Sequence, residues 1–262
     1  MRKILPILVL FVAASSTFTA HAQTADSSLN RLIAHFEQLI PYTDSTQPFA
    51  ITQIVVDTSQ QFVRLGFRIN DGRDVNSDIR QYLDYLAAKP DWDLIPIATS
   101  GYGLRLNVHT PSIHNEEGFG TLAVSYNNMD VRNAIRCATA RKNVMRYAQT
   151  AQLRLPQETG KGEKLVECNY TNDSTPSLTM VMEYADEFWD KLRPFITSHY
   201  DEIRQHRLEA LVQDTISNIA SNLAVGEVGF RFICRNESKT DSIAFFIPTQ
   251  DIFLELKKGL RK

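Results

Sequence analysis

Three blocks of this chain recur in the same order with the same apolar phase, and no other feature restricts the fold as strongly. The segment TLAVSYNNMDVRNAI (121–135) aligns without gaps on SIAFFIPTQDIFLEL (242–256). Leu122 meets Ile243, Val124 meets Phe245, Tyr126 meets Ile247 and Asp130 meets Asp251. VRLGFRIND (63–71) matches LTMVMEYAD (178–186), and GLRLNVH (103–109) matches GFRFICR (229–235). A strand's side chains alternate faces, so a slip of one residue would turn every core side chain outward. Preserved phase over three blocks therefore predicts a tandem repeat.

The repeated pattern is strand alternation. Val63, Leu65, Phe67 and Ile69 share one face, as do Leu104, Leu106 and Val108, and Val228, Phe230, Phe232 and Cys234. The arginines between them point the other way. Each copy reads strand, strand, helix, strand, strand, helix. In the first copy the strands are 51–56, 62–69, 103–109 and 121–126, with helices over 75–88 and 129–151. In the second they are 165–170, 178–184, 229–235 and 243–247. The second copy's helical stretch, from Asp186 to about Leu223, has Pro194 and Asp214-Thr215 as points of division. An amphipathic helix over 29–40 comes first. The expected fold is α+β, a tandem duplication of a ββαββα unit, with antiparallel sheets and helices packed on the apolar face. The expected domains are 23–154, a linker 155–164 (LPQETGKGEK, rich in Gly and charge), and 165–262.

The start of the chain bears on location. Arg2-Lys3, an apolar run 4–14 and Ala20-His21-Ala22 have the order of a secretory signal peptide over 1–22, so the mature chain is expected to begin at Gln23 in the periplasm or outside the cell. The run is too short to span a bilayer, and no second long apolar run follows. About 240 residues then remain, enough for two cores. The formal net charge of −2 creates no general field for nucleic acid. Three cysteines, Cys137, Cys168 and Cys234, are too few for a disulfide scaffold. Cys168 and Cys234 pair only if their strands are neighbours. No zinc spacing, hydrolase elbow, P-loop or dinucleotide fingerprint occurs, so no cofactor or metal is assigned.

Several residue sets remain as candidates. Arg64, Arg68, Arg105, Arg231 and Arg235 stand opposite the core on the strands and would line an anion-accepting groove if the sheets curl together; their alternative is ordinary outward charge. On the same face of copy two, Val181, Ile233, Ala244 and Phe246 are apolar and call for a cover: the other copy, an apolar ligand or a partner protein. Arg132, Arg136, Arg141, Lys142, Arg146 and Arg154 fill a segment without an acid, suited to a lipid headgroup, an anionic glycan or an acidic partner. His109, His114, Glu116 and Glu117 in HTPSIHNEE would serve a hydrolase or metal-assisted enzyme. His199, Glu202 and His206 share one helix face and otherwise read as a solvated stripe.

The export end resembles that of many envelope proteins of the Bacteroidota. Their O-glycosylation pattern, Asp, then Ser or Thr, then a small or apolar residue, occurs at Asp44-Ser45-Thr46, Asp173-Ser174-Thr175, Asp214-Thr215-Ile216 and Asp241-Ser242-Ile243. The sequence thus leads to an exported envelope protein acting as a non-catalytic binding module. Its alternatives are a hydrolase on the His109/His114 loop and a structural subunit of a surface assembly.

Overall fold

The structure is a computed structural model and describes residues 27, 29–43, 49–69, 79–89, 92–111, 119–173, 175–214 and 218–259. The expected signal peptide lies outside these residues. The chain divides into two compact units, Met1–Ile135 and Arg136–Lys262, each an α+β arrangement around one five-stranded sheet. No described helix is long and apolar enough to cross a membrane.

The first unit runs through α1 (29–39), β1 (Tyr42–Thr43), β2 (Phe49–Asp57), β3 (Phe62–Ile69), α2 (Ile79–Ala88), α3 (Ile95–Ser100), β4 (Gly103–Pro111), β5 (Phe119–Tyr126) and the first turns of α4 (Asn128–Gln152). The strands lie in sequence order, β1-β2-β3-β4-β5. Alternation sorts their side chains as expected: Val63, Leu65, Phe67, Leu104, Leu106 and Val108 are all buried. Leu29, Leu32 and Phe36 of α1 belong to the same core, where Phe36 stacks on Trp92 at 4.1 Å between ring centroids. Each such fully buried side chain contributes about 1.5–3 kcal/mol. Asn127 and Asp130 start α4 by reciprocal capping: each backbone N–H donates to the other's side-chain oxygen, at 2.8 and 2.9 Å.

The second unit holds the rest of α4, then β6 (Gln157–Gly160), β7 (Glu163–Thr171), β8 (Ser177–Tyr184), α5 (Asp186–Ser198), α6 (Tyr200–Gln213), α7 (Ile219–Val225), β9 (Gly229–Asn236), β10 (Ser242–Ile247) and α8 (Thr249–Gly259). Its sheet has the corresponding order, β10-β9-β8-β7-β6. Phe230, Phe232, Cys234, Phe245 and Ile247 form its floor, covered by Val144 and Ala148 of α4, Trp189 and Ile196 of α5, Leu208 of α6 and Leu223 of α7.

The two sheets agree residue by residue. Phe62 pairs with Gly103 where Ser177 pairs with Gly229, and Leu104 pairs with Tyr126 where Phe230 pairs with Ile247. Both second strands shift register at one extra residue, between Ile51 and Gln53 and between Leu165 and Glu167. The three blocks aligned by sequence are the stretches these pairings bring into equivalence.

One expectation requires correction. The sheets are mixed, not antiparallel, because β3 runs parallel to β4 and β8 runs parallel to β9. Parallel neighbours need a crossover, and the helices between them supply it: α2 and α3 in one unit, α5, α6 and α7 in the other. Each sheet also has a first edge strand the alternation pattern did not signal. Residues 157–160, within the expected linker, are β6 and pair antiparallel with β7. The central helical stretch breaks at His199, which ends α5 and precedes α6, while Pro194 lies inside α5.

Candidate functional site

A cavity of about 1030 Å³ lies wholly within the second unit. Two helices and one hairpin build it. On α5, Trp189 and Ile196 face the core, while Phe188, Lys191 and Phe195 take the adjoining face toward the cavity. α6 adds Glu202, Ile203, His206 and Arg207, and the β6–β7 turn adds Lys161, Gly162 and Glu163. Tyr184 of β8 and Cys234 of β9 stand at the sheet end.

Local chemistry fixes these pieces. The Trp189 indole N–H donates to Asp241 at 3.0 Å, Arg193 pairs with the same carboxylate, and Asp186 accepts the Ser238 backbone N–H at 3.2 Å. These contacts tie α5 to the β9–β10 turn. Gly162 has φ +72°, and a Cβ there would come within 2.6 Å of the Phe188 ring, so only glycine permits this turn against that ring. At the α5–α6 junction, Ser198 Oγ donates to the Phe195 carbonyl at 3.0 Å, and His199 Nδ1 lies 3.1 Å from the same oxygen and 2.8 Å from Ser198 Oγ. Both side chains thus reach the carbonyl that ends the last turn of α5.

Phe188, Phe195 and Ile203 leave apolar surface open, and Phe195 is 53% exposed. Arg207, half-buried, holds its guanidinium 4.2 Å from the Phe232 ring centroid. No ion pair joins it to a carboxylate among the described residues. Burial pushes Tyr184 well above its ordinary value and the Cys234 thiol up to about 11, so Cys234 stays protonated at neutral pH. A thiol activated as a nucleophile has the opposite shift.

The other expected residues are placed as follows. Arg64 pairs with Asp57 and donates to Gln60 at 3.2 Å, while Arg105 is its register partner on β4. Arg68 and His109 are likewise paired in register, and each has interactions of its own. In the second sheet Arg235 is held by Glu167 at 2.8 Å and by the buried Glu183 at 3.1 Å, and Lys164 joins Glu183 at 3.2 Å. Arg231 is exposed. Val181 is buried, Ile233 half-buried, and the Phe246 ring lies over Gly229, where a Cβ would be 2.8 Å away. Along α4, Arg136, Lys142 and Arg146 are exposed, but Arg132 donates to the Ala98 carbonyl at 3.1 Å and Arg141 to the Gly226 carbonyl at 2.7 Å. Those two close helix ends.

His114, Glu116 and Glu117 lie outside the described residues. No three His, Cys, Asp or Glu side chains among the described residues are grouped to hold a metal ion. The described cysteines form no disulfide; β8 separates β7, carrying Cys168, from β9, carrying Cys234. Only one of the four glycosylation-like triplets, Asp241-Ser242-Ile243, lies in a continuous stretch of described residues, and its aspartate is the carboxylate that Trp189 and Arg193 hold.

His199, Glu202 and His206 all line this cavity, but not from one helix: His199 is the junction between α5 and α6, and only Glu202 and His206 lie on α6. Sequence reasoning missed Phe188, Phe195 and Arg207. The available signal was an α5 apolar on two faces, which a helix covering one sheet does not need. In comparisons with family models, curated proteins and solved structures, nothing matches this chain.

Proposed function

We propose that this is an exported, non-catalytic binding protein whose second unit takes an amphiphile, an apolar body with an anionic end. Arg207 carries the reading. A half-buried guanidinium inside an apolar cavity, without a carboxylate partner among the described residues, is matched by an anion the ligand brings. Phe188, Phe195, Leu192 and Ile203 offer the apolar body a wall, and the volume suits a small organic molecule. Lys161 and Lys191 in the lining are balanced by Glu163 and Glu202, so Arg207 is the anchor. The protonated Cys234 and the capping role of Ser198 and His199 favour binding over nucleophilic catalysis. The arginines on the outer sheet faces are left out of the site, because Arg64 and Arg235 already hold carboxylates.

The equivalent registers, bulges and crossovers support descent of both units from one βββαββ element. Dodecanoate titrated into the mature protein tests the functional reading. Saturable binding weakened about tenfold by Arg207→Met, with an unchanged melting temperature, supports it. Unchanged affinity in that variant removes the anchor and the reading.

A further inference from the structure

The two sheets have four edge strands, and an exposed edge is a template for pairing unless something blocks it. Three are blocked. β1 has two residues, and β6 has four, with the charged Glu158 among them. β10 is longer, but its outward carbonyls are occupied: the Tyr200 hydroxyl donates to Ala244 at 3.0 Å and Arg204 Nε donates to Phe246 at 3.0 Å.

Among the described residues, β5 has none of these protections. Its eight residues, FGTLAVSY, contain no charge and no proline. Ala123 and Ser125 hold the register positions that Ala244 and Phe246 hold in the other sheet, opposite Asn107 and Arg105 as those lie opposite Ile233 and Arg231. Their carbonyls therefore turn outward as well. No described side chain donates to them, and both residues are exposed. On the core side Val124 is only half-buried, so a further strand would complete its cover.

We propose that β5 is the docking edge for a second copy of this chain, the two β5 strands pairing antiparallel about a twofold axis to make one continuous ten-stranded sheet. A strand without charge meets its own copy with no like charges opposed, and each copy offers the same free row of donors and acceptors. The inference is independent of the amphiphile site, which lies in the other unit.

Sedimentation velocity of the mature protein over a concentration series tests it, with hydrogen exchange read at both ends of the series. The expected result is a monomer–dimer equilibrium in which the outward amides of β5 gain protection as dimer forms. Ala123→Lys with Ser125→Lys adds charge at two exposed positions and is expected to leave a folded monomer at every concentration. A wild type that is monomeric throughout overturns the proposal, whatever else binds the edge. So does a dimer that persists in the double-lysine variant, or whose added protection falls on other strands.

Discussion

Gly103 and Gly229 begin equivalent strands, and each lies too close to an aromatic ring to carry a side chain. A Cβ on Gly103 would lie 2.6 Å from the Phe62 ring and 2.6 Å from the Tyr126 carbonyl; on Gly229 it would lie 2.8 Å from the Phe246 ring. The position is shared, but the obstacles differ. Phe62 sits on the strand before, Phe246 on the strand after. Gly103→Ala meets fixed backbone, so it is expected to cost about 2–3 kcal/mol in chemical denaturation, whereas Gly229→Ala meets a ring that can turn outward and should cost about 1 kcal/mol. The reverse order would mean that the Phe246 ring is the more firmly held.

Phe232 and Arg231 are neighbours on β9 with opposite fates. Phe232 is buried beside Phe230 and Phe245; Arg231 is exposed. Phe232→Asp would remove a buried ring packed against Phe230 and Phe245 and, even with the Arg207 guanidinium beside it, is expected to cost about 3–5 kcal/mol, a large part of a total stability of about 5–15 kcal/mol. Arg231→Ala should stay within about 0.5 kcal/mol. Equal losses in melting experiments would reverse the faces of this strand.

The strands and their faces were legible because alternation depends on neighbours in sequence. Val63, Leu65 and Phe67 declare their face locally, and so do Phe230, Phe232 and Cys234. The parallel pairing of β3 with β4 was hidden, since alternation is the same in parallel and antiparallel strands and the direction depends on where the crossover lands. β1 and β6 were hidden because two and four residues are too short to show a period. The candidate site was legible only in part. Glu202 and His206 announced a common face by spacing, but nothing local told that Phe195 and Arg207 would face one cavity from two helices.

Buried thiols give the fold an alkaline limit. Burial raises both Cys168 and Cys234 from 9.0 to about 11. Below pH 9 each is protonated in the folded and unfolded chain alike. Above that the unfolded chain releases its protons first, so stability falls as pH rises toward about 11, where the folded thiols also titrate. Denaturant midpoints should decline across that window, and less steeply in Cys168→Ala or Cys234→Ala. At neutral pH iodoacetamide should modify half-buried Cys137 before either of the others. A midpoint that rises over the same window, or equal labelling of all three, would contradict this burial.

The central claim is that the second unit's cavity selects an amphiphile by an anionic end. Its most direct measurement is calorimetric titration with two ligands of one chain length, dodecanoate and dodecyltrimethylammonium, into the wild type and Phe195→Asp. Phe195 is largely exposed, so the substitution leaves the core intact while placing a like charge on the cavity wall. The account predicts saturable binding of dodecanoate alone, weakened about tenfold or more in Phe195→Asp. Equal binding of both ligands, or dodecanoate affinity untouched by Phe195→Asp, would contradict it.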